Sequence, residues 1–436
     1  MSGSDTIFAL SSGQLPSGIA VIRVSGPRCR FVIETMAGKL PSPRKASLCE
    51  ISDFEAREVL DQGLVLWFPG PASFTGEDCA ELQIHGGRAV VAAVLRSLGS
   101  IDGLRMAEAG EFSRRAFENG RLDLTELEGL SDLIAAQSEA QRKQAYFQSR
   151  GQLRQLLEDW RHRLIHMRAL VEADFDFGDE EDVPGSVADG VWDKARELRD
   201  EIAAHLDDGH IGEIVRDGFR IVLMGLPNSG KSSLLNALSK RDVAIVTEIA
   251  GTTRDLIEVE LDIGGYLVVA CDTAGIRNSG DAIEQEGVRR AKEAGERADL
   301  IIWLWEAGVT NGDPETNPEN QIIIRSKDDE GVLKSDLLTI STKSGYGMES
   351  LISAIGGQLD ELTSNSDHGL ITRERHRVAL MDAVGELSLA VEDTAGQSDL
   401  RVEFLRKASD HVGRIVGRVD VEDLLDVIFS EFCVGK

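Results

Sequence analysis

The stretch FRIVLMGLPNSGKSSLLNAL, residues 219–238, constrains the fold of this 436-residue chain more than any other. An apolar run that ends at Met224 leads into GLPNSGKS, which fits the pattern GxxxxGK[ST] between a strand and a helix. Glycines let backbone N–H groups curl around a phosphate, and the amino terminus of the helix adds its positive end. We therefore predict a P-loop nucleotide-binding module, in which Lys231 reaches the β- and γ-phosphates and Ser232 ligates Mg²⁺.

Two later stretches supply the parts that such a module needs. The apolar run GYLVVACDTAG ends in Asp272 to Gly275, a DxxG pattern whose aspartate serves the Mg²⁺ shell and whose glycine amide senses the γ-phosphate. Before it, TEIAGTTRD places Thr252 and Thr253 in a polar loop, and one of these hydroxyls is expected to close on Mg²⁺ when the γ-phosphate is present.

Two short motifs indicate which base is bound. Ser326, Lys327 and Asp329 follow the apolar run QIIIR, and Ser341-Thr342-Lys343 follows LLTI, in the manner of the NKxD and SAK elements of GTPases. Asp329 would accept two hydrogen bonds that guanine donates and adenine does not, which favours GTP. Ser326 stands where asparagine is usual, so we expect one contact that braces the loop to be shortened or lost.

The sequence indicates less directly which residue positions the attacking water. Ile276 follows Gly275, so the water-orienting glutamine of Ras-type proteins is missing. Asn228 offers a carbonyl oxygen to a monovalent cation, which would stand in for an arginine finger. Glu284 and Glu286 are candidate water-orienting carboxylates, and the alternative for each is an exposed acid at a helix start.

Composition narrows the class of protein. The net charge of −28 argues against non-specific binding of nucleic acid, so any contact with RNA would need a local basic patch or a basic partner. Five cysteines without a CxxC pair fit a reducing compartment. No apolar run approaches the roughly 20 residues that span a bilayer, and the amino terminus lacks a secretory signal. We predict a cytoplasmic protein with no membrane partner.

The secondary-structure pattern predicts an α/β multidomain protein. Residues 1–118 mix short strands with one helical pattern, 119–216 are helical, 217–366 alternate strands and helices, and 367–436 return to helix. The economical architecture is a helical domain interrupted by an inserted, Ras-like P-loop module. Within the first helical part, six apolar residues with seven-residue spacing predict one long packed helix: Leu153, Leu157, Trp160, Leu164, Met167 and Val171.

Three stretches besides these motifs carry a family resemblance that covers essentially the whole chain. They are SFTGEDCAELQIHGG, AGEFSRRAFENGRLDLTELEGLSDLI and the final VEDLLDVIFSEFCVGK. With the nucleotide motifs between them, they resemble the MnmE (TrmE) family of tRNA-modification GTPases.

The resemblance implies a fold, a reaction and partners. Residues 1–118 would form a domain that binds tetrahydrofolate and makes the homodimer. The GTPase would be stimulated by K⁺. With an MnmG-type FAD protein, as a heterotetramer, it would install an aminomethyl or carboxymethylaminomethyl group at C5 of the wobble uridine of certain tRNAs. The one-carbon unit would come from 5-formyl- or 5,10-methylene-tetrahydrofolate.

The resemblance also implies site residues. Folate would contact Arg23, Glu81, Arg121 and Lys436, where Arg121 replaces the family's usual lysine. Glu284 and Lys231 would be catalytic, Ser232 and Thr253 would bind Mg²⁺, and K⁺ would be held by Asn228, Thr247, Ile249 and Thr252. The whole GTP site would comprise Asn228, Ser229, Gly230, Lys231, Ser232, Ser233, Thr247, Glu248, Ile249, Ala250, Gly251, Thr252, Thr253, Asp272, Thr273, Ala274, Gly275, Ser326, Lys327, Asp329, Ser341, Thr342 and Lys343.

The sequence leaves three alternatives open. Cys433 is equally well explained as a catalytic thiol and as a small buried apolar residue. A ribosome-assembly or signalling GTPase would carry the same nucleotide motifs, although it predicts an RNA-binding appendage. A folate-binding scaffold whose shape is gated by GTP would differ from the favoured function only in where the chemistry happens.

Overall fold

The computed structural model describes residues 5–177, 190–207, 210–226, 228–241, 243–245, 257–272, 295, 298–306, 320–329, 337–364, 369–392, 398–419, 425, 428–429 and 435, without the side chains of 175–177, 257, 364 and 398. The chain divides into two compact units. One comprises Met1–Ser131 with Val412–Lys436, and the other comprises Asp132–His411.

The first unit is built on a six-stranded sheet. Its strands are β1 (Thr6–Leu10), β2 (Ser17–Ser25), β3 (Ser47–Ser52), β4 (Val59–Phe68), β5 (Cys79–Gly86) and β6 (Leu104–Met106), in the order β3-β4-β5-β2-β1-β6. All neighbours are antiparallel except β1 and β6. Helices α1 (Cys29–Met36) and α2 (Arg88–Gly99) contribute to one hydrophobic core with the inward residues of these strands.

Alternation along β2 separates the two faces of this sheet. Ile22 and Val24 are fully buried in the core that α1 and α2 share, whereas Arg23 lies between them on the opposite face. Burial of each such aliphatic side chain contributes about 1.5–3 kcal/mol. The same alternation in β5 puts Leu82 in the core and Glu81 on the face of Arg23, because Arg23 and Glu81 are register partners.

The end of the chain belongs to this first unit. Helices α3 (Glu111–Glu118) and α4 (Leu124–Ala135) follow β6, and a small apolar cluster joins Leu124 and Leu127 to Leu425, Ile428 and Phe429. The backbone approaches closely there, because a Cβ on Gly110 would lie 2.5 Å from the carbonyl oxygen of Phe429.

The second unit contains the predicted nucleotide-binding sheet. Its strands are β7 (Phe219–Gly225), β8 (Ile257–Ile263), β9 (Tyr266–Asp272), β10 (Leu300–Glu306), β11 (Gln321–Ser326) and β12 (Leu338–Thr339), in the order β12-β11-β10-β7-β9-β8. Only β8 runs antiparallel to its neighbour. In the sheet, β7 lies between β9 on one side and β10 on the other, so the strand order reverses at β7. The carboxyl end of β7 is therefore a topological switch point, where open α/β sheets bind ligands.

The described part of the second unit also contains helices. They are α5 (Glu139–Ser149), α6 (Gln152–Phe177), α7 (Val191–Leu206), α8 (Ile211–Asp217), α9 (Lys231–Leu238), α10 (Met348–Ser364), α11 (Glu374–Glu392) and α12 (Ser398–Ile415), the last of which ends in the first unit. The long packed helix predicted at 153–171 is confirmed as α6, since all six residues of the predicted face are buried. No helix in the described part of the chain is long and apolar enough to span a membrane.

The predicted fold class is confirmed, since an α/β unit, a P-loop sheet and helical segments are all present. The finer subdivision at 118, 216 and 366 stays a prediction, because helices and nucleotide-binding sheet fall in one compact unit.

Candidate functional site

The phosphate loop follows β7 and ends at α9. Gly225 has φ +141°, and a Cβ there would lie 2.3 Å from the carbonyl oxygen of Leu304 in β10. Gly230 has φ +101°, which L side chains rarely adopt. Gly225 is thus required because the backbone of β10 lies so close to it, and Gly230 is required because of its backbone conformation. The loop leads directly into α9, whose first N–H groups have no partner within the helix and can bind a phosphate.

Lys231 closes this loop. Its Nζ donates to the carbonyl oxygens of Gly225 at 2.9 Å and Leu226 at 3.0 Å, and the residue is only 7% exposed. The ammonium is therefore held across the loop, where a nucleotide's β- and γ-phosphates would approach it.

Ser232 and Asp272 meet as their motifs predict. The Ser232 hydroxyl donates to Asp272 Oδ2 at 2.5 Å, and Asp272 is fully buried at the end of β9. β9 lies beside β7 in parallel, which brings the two residues together from positions 40 apart in the chain. A hydroxyl and a carboxylate are hard oxygen donors, so this pair fits Mg²⁺.

The base-recognition loops also come together. The Ser341 hydroxyl, fully buried, donates to Asp329 Oδ1 at 2.7 Å, and Lys343 Nζ lies 3.6 Å from Asp329 Oδ2. These contacts orient the carboxylate that would accept hydrogen bonds from guanine. Lys327 has φ +67°, and its Nζ pairs with Glu306 Oε1 at 2.9 Å.

For Ser326 we expected a bracing contact that is shortened or lost, and the structure keeps a short one. Its hydroxyl donates to the carbonyl oxygen of Ser229 at 2.5 Å and lies 3.2 Å from that of Trp305. The contact that braces the base loop against the phosphate loop is therefore present and direct, because the short side chain sits where β11 brings it against the loop. Asn228 lies in the same loop with φ +67°.

Several predicted site residues lie outside the described residues, and their roles stay predictions. They are Thr247, Glu248, Ile249, Ala250, Gly251, Thr252, Thr253, Thr273, Ala274, Gly275, Glu284, Cys433 and Lys436.

A second polar site lies on the sheet of the first unit, on the face opposite its core. Arg23 donates to Glu81 Oε1 at 3.0 Å, and its guanidinium carbon lies 5.2 Å from the ring centroid of Phe74 and 5.8 Å from that of Phe112. Both side chains of the ion pair are about one-fifth exposed. The predicted folate contacts Arg23 and Glu81 are thus adjacent, and Arg23 is held by two aromatic rings.

Arg121 reaches the same region through a loop. Its Nε donates to the carbonyl oxygen of Ser73 at 3.2 Å, and Asn119 Nδ2 donates to that of Thr75 at 2.7 Å. The loop so held carries Phe74, which lies against Arg23.

Sequence reasoning missed an ionic network in the same unit. Arg115, whose side chain is 7% exposed, bonds Glu77 at 3.1 Å, Asp5 at 3.1 Å and Glu111 at 2.9 Å. Arg105 also bonds Glu111. Burial works to raise the pKa of Glu111, but the bonds from Arg105, the Glu108 backbone and Arg115 outweigh it and lower that pKa. The only signal in the sequence was the charge-rich run AGEFSRR, which does not reveal its partners.

Together, the glycine loop, the pairing of Ser232 with the buried Asp272 and the braced base loop define a P-loop nucleotide-binding protein. Two family models match the chain, "MnmE helical domain" over residues 124–433 and "GTP-binding protein TrmE N-terminus" over 6–121. The chain belongs to the MnmE family of tRNA modification GTPases.

Individual relatives support this membership. The chain is 50% identical over the full length of both proteins to the tRNA modification GTPase MnmE of Rhizobium meliloti (strain 1021). It is 51% identical to that of Rhizobium etli (strain CIAT 652), with 99% of each chain covered. Among solved structures, Aquifex aeolicus Era bound to GDP·AlF4⁻ is similar, with a TM-score of 0.26 and 22% identity over 40% of this chain and 68% of that one.

Proposed function

We propose that this chain is a GTP-hydrolysing enzyme of tRNA wobble uridine modification. It acts in the cytoplasm with an MnmG-type FAD protein, as a heterotetramer, and installs an aminomethyl or carboxymethylaminomethyl group at C5. The observation that supports the nucleotide half of this proposal is the hydrogen bond from Ser341 to Asp329, which orients the carboxylate that would read guanine.

Hydrolysis is assigned to the second unit. Lys231 neutralises phosphate charge, and Ser232 holds Mg²⁺ with Thr253 as the second protein ligand. Asn228, Thr247, Ile249 and Thr252 hold K⁺, which supplies the positive charge that an arginine finger supplies elsewhere. Glu284 orients the attacking water. The absence of glutamine after Gly275 makes such substitutes necessary.

Folate binding is assigned to the first unit. Arg23, Glu81, Arg121 and Lys436 surround the ligand, which is 5-formyl- or 5,10-methylene-tetrahydrofolate. The Arg23–Glu81 pair suits this role because it offers donors and acceptors side by side, and because two aromatic rings fix the guanidinium before any ligand arrives. Cys433 is proposed as a thiol near the substrate.

A homodimer is supported by exposed apolar side chains on the sheet of the first unit. Leu48 in β3 and Leu64 in β4 are direct cross-strand partners, and they are 61% and 39% exposed. Their registers place them on the same face as Glu81 and Arg23. An exposed apolar pair beside a polar site suits a face that a second copy covers.

The decisive test is mass spectrometry of wobble uridines in tRNA from cells that lack this chain. We expect the modified uridine to disappear, and to return with the wild-type gene but not with a Lys231→Ala variant. Unchanged modification in the deletion strain would overturn the proposal. Hydrolysis of GTP in KCl and in NaCl tests the cation separately, since equal rates would contradict the K⁺ site.

A further inference from the structure

The chain enters and leaves the nucleotide-binding sheet at neighbouring places in the second unit. Helix α8 leads the chain into β7, and residues 369–373 lead it out towards α11. The two segments are in backbone contact, because a Cβ on Gly212 would lie 2.3 Å from the carbonyl oxygen of Ile371 and 2.9 Å from that of Gly369. Movement of one segment must therefore displace the other.

Helix α5 binds both segments through one row of glutamines. The Nε2 atom of Gln144 donates to the carbonyl oxygens of Gly212 at 2.9 Å and Gly369 at 3.1 Å. Gln141 Nε2 donates to the carbonyl oxygen of Arg216 at 2.7 Å, and Gln148 Oε1 accepts from Thr372 at 3.1 Å. Positions 141, 144 and 148 share one side of a helix. We name this row the glutamine face of α5.

The start of the same helix holds the turn between β8 and β9. The backbone N–H of Ala140 donates to the carbonyl oxygen of Gly265 at 2.9 Å. Ser138 and Gln141 form a capping box at this end of α5, so the helix start is itself fixed.

Strand β9 connects this contact to the nucleotide site. It has seven residues and runs from Tyr266, next to Gly265, to Asp272, which bonds Ser232. Seven residues in a strand span about 20 Å. Paired with β7 and β8 along its length, β9 is a stiff link between the proposed Mg²⁺ ligands and α5.

The contact between α5 and the sheet is polar and incompletely packed. Open clefts of about 430 Å³ and 160 Å³ border this contact, and Gln144 lines both. Gln148 Nε2 and Glu260 Oε2 are buried and have no hydrogen-bond partner within the described residues. A second arrangement of α5 against the sheet would therefore cost little free energy, because it would let Gln148 Nε2 and Glu260 Oε2 find hydrogen-bond partners.

We propose that α5 couples the nucleotide state to the helical segments, with Gln144 as the positioning residue that ties both chain crossings to it. Exchange or hydrolysis of the nucleotide beside Ser232 and Asp272 shifts β9, and β9 shifts the start of α5. The glutamine face then carries that shift to residues 369–373. This coupling rests on the proposed GTP hydrolysis, since it needs two nucleotide states.

Hydrogen–deuterium exchange of the full chain with Mg²⁺ and K⁺ tests the coupling. We expect peptides that cover 139–149 and 369–377 to exchange at different rates with GDP and with GDP·AlF4⁻. Gln144→Met keeps length and helix propensity but removes both donors, so exchange in 369–377 should rise about tenfold and lose its nucleotide dependence. Gln155→Met, an exposed glutamine on α6, is the matched control and should behave as wild type.

The outcomes separate this inference from the proposed function. GTP hydrolysis is measured on the same samples and should stay within about twofold of wild type in both variants. If the wild type hydrolyses GTP but its α5 peptides exchange equally with both nucleotides, the coupling is overturned, whether or not Gln144→Met folds. If Gln144→Met keeps the full nucleotide-dependent difference, Gln144 is not the positioning residue. Absence of hydrolysis in the wild type would instead contradict the proposed function.

Discussion

The hydroxyl of Ser326 donates a hydrogen bond to the backbone carbonyl of Ser229, at 2.5 Å, inside the second unit. This bond ties the base-recognition loop after β11 to the phosphate loop after β7. A serine therefore braces the two loops directly at the position where GTPases usually have asparagine.

Ser326→Ala should weaken binding of GDP and GTP about tenfold, because loss of a buried hydrogen bond is worth about 1–1.5 kcal/mol. Ser326→Asn should restore most of the affinity, since an amide N–H reaches the same carbonyl. Titration calorimetry with each nucleotide measures both. Wild-type affinity in Ser326→Ala would show that the brace does not support the site.

Asp329→Asn should change which base the site prefers. The carboxylate accepts two hydrogen bonds from guanine, and an amide in its place presents an N–H that faces a donor. We expect GTP affinity to fall at least a hundredfold, because an unpaired polar group in a closed site costs about 3 kcal/mol or more.

The same variant should gain affinity for XTP, whose second carbonyl matches the new donor. Competition between GTP and XTP for the variant and the wild type gives the answer. A variant that still prefers GTP would mean that Asp329 does not read the base.

Glu111→Gln should destabilise the first unit in a pH-dependent way. Arg105 and Arg115 lower the pKa of Glu111 below its ordinary value of 4.5, so the carboxylate stabilises the fold above that pH. At pH 7 the variant should lose about 2 kcal/mol. The difference should shrink as the pH falls below 4.5 towards the lowered pKa, because the wild-type carboxyl then becomes protonated.

Urea unfolding at pH 7 and at pH 3.5 measures this change. Glu118→Gln is the control, since Glu118 is 42% exposed and its nitrogen partner on Arg114 lies at 3.6 Å. It should change the free energy of unfolding by less than about 1 kcal/mol at either pH. A constant deficit for Glu111→Gln at both pH values would rule out the ionic explanation.

Gly110→Ala should loosen the final segment from the first unit. Gly110 combines φ +69° with a Cβ position 2.5 Å from the carbonyl oxygen of Phe429. Gly120 has φ +64° and open space around its Cβ, so Gly120→Ala isolates the backbone strain alone. We expect a loss of about 1 kcal/mol for Gly120→Ala and about 2–4 kcal/mol for Gly110→Ala, measured by denaturant unfolding. Equal losses would contradict the close approach.

Local motifs predicted the position of the phosphate loop. GxxxxGK[ST] and DxxG each combine a strand end with a fixed loop, so Lys231, Ser232 and Asp272 follow once the strands are recognised. The buried side of α6 was predictable for the same reason, since its spacing of seven is a property of one helix.

The glutamine face and the Arg115 network were not predictable. Gln144 binds Gly212 and Gly369, which are 68 and 225 positions away, and polar side chains on a helix normally indicate an exposed surface. Arg115 likewise draws its partners from three separate segments. Such contacts depend on the complete tertiary fold, and a single sequence does not encode them as a local pattern.

Ser11 donates to the carbonyl oxygen of Gly435 at 2.8 Å, across 424 positions of the chain. A Cβ on Gly435 would lie 2.3 Å from the carbonyl oxygen of Leu10, so the two segments meet backbone to backbone. A ribosome adds roughly 5–20 residues per second, so the first sheet must wait about 15–60 s for the segment that completes its unit. During that interval the nascent chain carries the surface of the first sheet without the segment that completes it.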